Sequence, residues 1–340
     1  MVNWELCGTL QGVPLSHKMA NFAFRPSTYI EDAISMMDQR MGKSGVAEAF
    51  RSYQYQASSF QSASFPDSHC FYKLDCCCQL DPQKIYTMTP NGLAILIGAG
   101  PATGTGIARI LSHPSHGNLA VALIARRPAS LASVITNIHS TSPDAVLESF
   151  PSDTSEESLK KAFQDIKSHK NFQGLKLKLA IYSIKHSSKK PFLEETRSAF
   201  EESLETYVGG AFTFAQESLN RFFEDHGEEG LHEGGGKKGT LIFTGTLGAL
   251  RCSAQFAAYG ASRSSVRQLA QTLAREMSER GVHVVHTIAN GAIVDEDGED
   301  QKTGKKMNAD AVGETYLFLH NQKPCLWTHE LDMRPACEKF

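Results

Sequence analysis

The 340-residue chain is 41% hydrophobic and 21% charged, with a formal net charge of −3. This is the balance of a globular protein with a sizeable core, and it supplies no field that would hold a polyanion, so no nucleic-acid partner is expected. No apolar run approaches the roughly 18 residues that span a bilayer, and the N-terminus lacks secretory and transit patterns, so no membrane partner is expected and a cytoplasmic location is the default.

Residues 1–87 are rich in Ser, Gln, Phe and Tyr and show no sustained period, which reads as a largely irregular or disordered N-terminal extension with one or two short helices within 30–50. Five of the cysteines fall here: Cys7, Cys70, Cys76, Cys77 and Cys78. Adjacent cysteines cannot all point at one metal, and no paired C-x-x-C spacing accompanies them, so no metal site is expected.

From residue 88 to 340 the pattern is that of one domain. Strands are expected at 93–99, 119–125, 145–150, 175–182, 239–243 and 282–288, as short apolar runs bounded by Gly, Pro or charge. Helices are expected near 103–113 and 129–138, after Asp153, near 194–224 and near 256–280. Strand–helix alternation with apolar strands predicts a three-layer, doubly wound parallel α/β sheet, which binds ligands at the carboxyl ends of its strands. The glycine and charge run 227–239 reads as a surface loop. The segment 295–306 is charged and short for a substrate lid, and orders, if at all, only on binding.

The run Gly98-Ala99-Gly100-Pro101-Ala102-Thr103-Gly104-Thr105-Gly106-Ile107 follows the first strand and opens the first helix. In that context glycines permit a tight turn at Gly100, close approach of backbone N–H groups to a pyrophosphate at Gly104, and close packing at Gly106, while the helix N-terminus favours the anion. Thr103 and Ile107 belong to the same candidate cofactor site. Arg126 and Arg127 end the second strand, where planar guanidinium forks suit a 2′-phosphate, so NADP(H) is favoured over NAD(H). One of the two, Arg127, has the alternative of pointing to solvent. Asp153 and Thr154 follow the third strand as adenine-side residues, or else as helix caps.

The spacing Gly100-x-x-x-Gly104-x-Gly106, with Thr246, Tyr259 and Arg263 downstream, resembles the short-chain dehydrogenase/reductase family over about residues 93–340. The resemblance implies a Rossmann fold, association into a homodimer or homotetramer, and an active site in which a tyrosine donates or removes a proton while hydride moves to or from the nicotinamide. Carried across by position, Tyr259 is the acid/base, Thr246 stands for the family's serine and Arg263 for its lysine. The N-A-G turn after the fourth strand is here Tyr182-Ser183-Ile184-Lys185, and the asparagine that anchors a relay water falls at Tyr207. The Pro-Gly after the sixth strand is Asn290-Gly291, followed by Ile293. Ser183, Gly291 and Ile293, with Tyr259 and Arg263, complete the cofactor-binding set that the resemblance implies. The C-terminal run from Cys325 to Pro335 is similar to a subgroup with atypical active-site sets.

Two functions follow as expectations. One is an NADP(H)-dependent carbonyl reductase or alcohol dehydrogenase acting on a small to medium organic substrate. The other is an NADP(H)-binding protein with little or no turnover, serving as scaffold or regulatory partner. A packing role for Tyr259 in an amphipathic helix stays open beside its chemical one.

Overall fold

A computed structural model describes residues 89–339; the N-terminal extension and its cysteines lie outside the described residues. The described residues begin with β1 (Leu93–Ile97), α1 (Thr103–Ser112), β2 (Ala120–Ala125), α2 (Pro128–Thr141), β3 (Leu147–Pro151) and α3 (Glu156–Ser168). It continues through β4 (Leu177–Tyr182), α4 (Arg197–Leu204), α5 (Gly210–His226), β5 (Gly239–Gly245), α6 (Ala257–Met277) and β6 (Val282–Ala289). The last elements are β7 (Ile293–Val294), α7 (Glu299–Lys302), β8 (Met307–Asn308), α8 (Ala309–Asn321) and β9 (Glu330–Met333).

Among the described residues, seven strands form one parallel sheet in the order β3-β2-β1-β4-β5-β6-β9. The order reverses direction at β1 and β4, which opens a crevice above their carboxyl ends. β1 and β6 are buried at every position because helices cover both faces. On one face Leu159, Phe163, Phe214, Phe222, Val266 and Ala270 from α3, α5 and α6 pack against the sheet. On the other face Ile107, Leu111, Leu131, Ile138, Val312 and Tyr316 from α1, α2 and α8 do the same.

The expected strands are all present, within two residues of their expected ends. The long helix expected over 194–224 is broken: α4 and α5 are separated by one wide π-type turn, Glu205–Gly209. Such a turn leaves helix carbonyls without their usual donors, and here the Tyr182 hydroxyl donates to the carbonyls of Tyr207 (3.0 Å) and Thr206 (3.3 Å). The segment 295–306 carries a short helix, α7, and is tied to the body of the fold. β7 and β8 pair, and Asp295 is tied to Arg109 of α1 at 2.8 Å, with Asp310 of α8 on the same guanidinium. No helix among the described residues is long and apolar enough to cross a membrane.

Candidate active site

A cleft of about 1030 Å³ lies over the carboxyl ends of the strands. One wall is the turn after β1. Gly98 has φ +87°, and a Cβ there would sit 2.0 Å from the Ser183 carbonyl oxygen. A Cβ at Gly104 would fall 2.8 Å from the Ala99 backbone, so glycine is what lets the helix start close under the turn. Ala102, at the head of α1, also has positive φ (66°), a conformation that costs about 1–3 kcal/mol and tends to persist at ligand clamps. No side chain caps α1, and Gly100, Thr103 and Gly104 at its start line the cleft, as an anion site requires. The turn has the shape that a dinucleotide pyrophosphate needs.

Gly106 and Ile107 do not share that wall. Gly106 packs against α8, where a Cβ would lie 2.3 Å from the Ala309 carbonyl, and Ile107 is wholly buried against the sheet. Both are packing residues, set between α1 and the elements it lies against. Arg126 and Arg127 are exposed at the rim of the cleft. Asp153 lines it too, but its carboxylate accepts from the Ser155 backbone (3.0 Å) and hydroxyl (2.6 Å). Those hydrogen bonds, the side-chain one first, hold its pKa below the ordinary value. Neither Asp153 nor Thr154 caps α3; the cap position belongs to Ser155.

Thr246, Tyr259 and Arg263 converge from two elements. Thr246 directly follows β5 and opens a short turn, its Oγ1 accepting from Gly248 N–H at 3.3 Å. Tyr259 stands in the first turn of α6 with its Oη 2.6 Å from Thr246 Oγ1. The ring reaches that position across Gly248, where a Cβ would lie 2.5 Å from Tyr259 Cε1. Its edge meets Phe256 with centroids 5.6 Å apart.

Arg263, one turn further on, is 3% exposed. Its guanidinium carbon lies 4.4 Å from the Tyr259 ring centroid and 3.4 Å from that of Tyr207. Nη2 donates to the His186 carbonyl at 2.7 Å, while Nε and Nη1 are buried without a partner. Two unmet donors on a buried cation are costly, about 1–3 kcal/mol each, and they leave hydrogen-bonding capacity for a group entering the cleft. Tyr207 is fully buried in the π-type turn, and its hydroxyl donates to the Thr244 carbonyl at 3.1 Å. Burial pushes its pKa up to about 12, against the opposing pull of Arg263.

On the other rim Asn290 Oδ1 accepts from Leu247 N–H at 3.3 Å, and Gly291 turns with φ +127° beneath Pro335, bringing Ile293 to the cleft edge. Thus Gly100, Thr103, Gly104, Arg126, Arg127, Asp153, Thr154, Ser183, Thr246, Tyr259, Arg263, Gly291 and Ile293 line one cleft. The expected list omitted Tyr182, which braces the π-type turn, and the His186 carbonyl, which anchors Arg263.

Comparison with known proteins agrees with this architecture. A family model described as short chain dehydrogenase matches residues 93–302. Among solved structures, a short-chain dehydrogenase from Rhodopseudomonas palustris is similar at 23% identity and TM-score 0.57, covering 72% of this chain and 99% of that one. An alcohol dehydrogenase from the archaeon Thermococcus sibiricus, complexed with 5-hydroxy-NADP, is similar at 16% identity and TM-score 0.59, covering 73% and 98%. A metagenomic short-chain oxidoreductase in complex with NADP is similar at 16% identity and TM-score 0.58, covering 74% and 99%. A search of curated proteins gave no significant match.

Proposed function

This chain belongs to the short-chain dehydrogenase family, and from that premise we propose that it is an NADP(H)-dependent oxidoreductase acting on a small to medium carbonyl or alcohol substrate. The observation that carries the proposal is the 2.6 Å approach of Thr246 Oγ1 to Tyr259 Oη inside the cleft. Two hydroxyls at that separation form a chain that can hold a substrate oxygen and move a proton to or from it.

When bound, the nicotinamide supplies or accepts the hydride. The glycine turn and the open N-terminus of α1 would hold the pyrophosphate, and Arg126 with Arg127 would pair with the 2′-phosphate, a preference supported by the NADP and its analogue bound in two of the similar proteins. Thr246 orients the substrate oxygen and Tyr259 exchanges the proton with it. Arg263 places fixed positive charge beside that exchange, and its two unpartnered donors are available to ribose hydroxyls.

A second reading, cofactor binding with little turnover, draws on the same residue. Arg263 is engaged by the His186 carbonyl and the Tyr207 face, and both contacts compete with a ribose for its guanidinium. The two readings separate in one experiment: purified protein is titrated with NADPH and then offered a panel of aldehydes and ketones. Oxidation of NADPH supports the enzyme; binding without oxidation across the panel supports the scaffold; failure to bind NADPH defeats both.

A further inference from the structure

The oxidoreductase reading leaves part of the cleft's charge without a task. Two segments wall its substrate end. One is 185–190, after β4; the other is 251–256, after the Thr246 turn. They touch through Lys190 N–H to the Gln255 carbonyl at 2.9 Å, and Lys189 Nζ lies 5.6 Å from the Phe256 ring centroid. Phe256 in turn meets Tyr259, so these walls continue directly from the reacting hydroxyls. Lys185 and Arg251 line the cleft, one from each wall, and both are exposed.

Neither Lys185 nor Arg251 forms an ion pair among the described residues. Among the described residues the one carboxylate lining the cleft is Asp153, whose Oδ1 accepts both Ser155 bonds and which feels Arg126. The other acids near the 185–190 segment, Glu195 and Glu202, do not line the cleft, and Glu195 accepts from Ser188. The anions of the cofactor account for Arg126 and Arg127. A neutral carbonyl substrate gives Lys185 and Arg251 nothing to bind.

We propose that the substrate is a carbonyl or hydroxy compound bearing a carboxylate, held between Lys185 and Arg251 with its reacting oxygen at Thr246 and Tyr259. The proposal rests on the oxidoreductase reading and deepens it. Ser187 and Ser253, which line the same two walls, offer neutral donors to the same anion. Phe256 and Cys252 give an apolar surface for the carbon chain between the two ends.

The test uses the full-length protein, NADPH and matched pairs of oxo acids and their methyl esters, which share a carbon skeleton and differ in charge. The expected result is a kcat/KM for the acids at least about tenfold above the esters, since a charge-assisted hydrogen bond is worth about a factor of 10 to 100. That ratio falls toward unity in a Lys185→Gln/Arg251→Gln double variant, and it falls with added salt because the groups are exposed. Esters reduced as well as acids, or an acid preference unchanged in the double variant, would overturn the proposal and leave the oxidoreductase reading standing. NADPH bound with no member of any pair reduced would overturn both.

Discussion

The guanidinium of Arg263 lies flat enough on Tyr207 to bring its central carbon within 3.4 Å of the ring centroid. A cation on an aromatic face in a desolvated site is worth about 2 kcal/mol, and here the face is fixed by the π-type turn and by the bond from Tyr207 to the Thr244 carbonyl.

Tyr207→Phe keeps the face and loses one hydrogen bond, whereas Tyr207→Leu loses the face. Turnover should fall by about threefold or less in the first and by about tenfold or more in the second, given the magnitude of the stacking interaction. Both variants are checked for folding by thermal melting before the kinetics. Equal losses in the two would mean that the ring does not position Arg263.

Arg126 is exposed at the rim where a 2′-phosphate would lie. Arg126→Ala should raise the dissociation constant for NADPH by about 10- to 100-fold and change that for NADH by less than about threefold, because the lost interaction is charge-assisted and specific to the phosphate. Isothermal titration with both nucleotides measures this directly. A parallel loss for both would place Arg126 away from the 2′ position.

Gly104 and Gly106 predict different failures, although they are two residues apart. An alanine Cβ at Gly104 would meet the Ala99 backbone at 2.8 Å, beneath the phosphate turn; at Gly106 it would meet the Ala309 backbone at 2.3 Å. Gly104→Ala should weaken NADPH binding more than it weakens folding. Gly106→Ala should destabilise by about 1–3 kcal/mol, the usual cost of overpacking, by prising α8 from α1. Urea unfolding with and without NADPH separates them. The idea fails if Gly106→Ala melts normally.

Three histidines on and beside β6 make stability acid-sensitive. Burial lowers His283 and His286 to about 4 and His320 to about 3, whereas the unfolded chain titrates near 6.5. Between those values the unfolded state binds more protons, so stability falls as pH falls from about 6.5 toward 4, by on the order of 1 kcal/mol per pH unit per histidine. For His283, burial, with the nearby charge of Lys237 adding to it, outweighs the bond between Nε2 and the Thr328 carbonyl at 2.8 Å, which favours the protonated ring. The urea midpoint should drop clearly between pH 7 and pH 5. An unchanged midpoint would contradict the account.

The parts of the site that were legible in the sequence are those whose chemistry is local. The glycine turn, Arg126 and the Thr246–Tyr259 pair each sit at a strand end or helix start, where the residue pattern alone fixes direction. Arg263 was legible as a position but not as a geometry. Its partners depend on the π-type turn at Glu205–Gly209, whose five residues carry no local pattern that distinguishes a widened turn from an ordinary one. β9 gave a weak signal because its four residues alternate between exposed and half-buried at the sheet edge. The ordering of 295–306 rests on Arg109, which is 186 residues from Asp295 and 201 from Asp310 in the chain; no local pattern announces such a contact.

The central claim is that Tyr259 exchanges the substrate proton from within hydrogen-bonding reach of Thr246. The direct measurement compares wild type and Tyr259→Phe for NADPH affinity and for NADPH oxidation with the same carbonyl substrate. The account predicts affinities within about threefold of each other and a kcat lower by about 100-fold or more in the variant, since positioned acid–base catalysis contributes about 10²–10⁴. Equal turnover in the two proteins would contradict it.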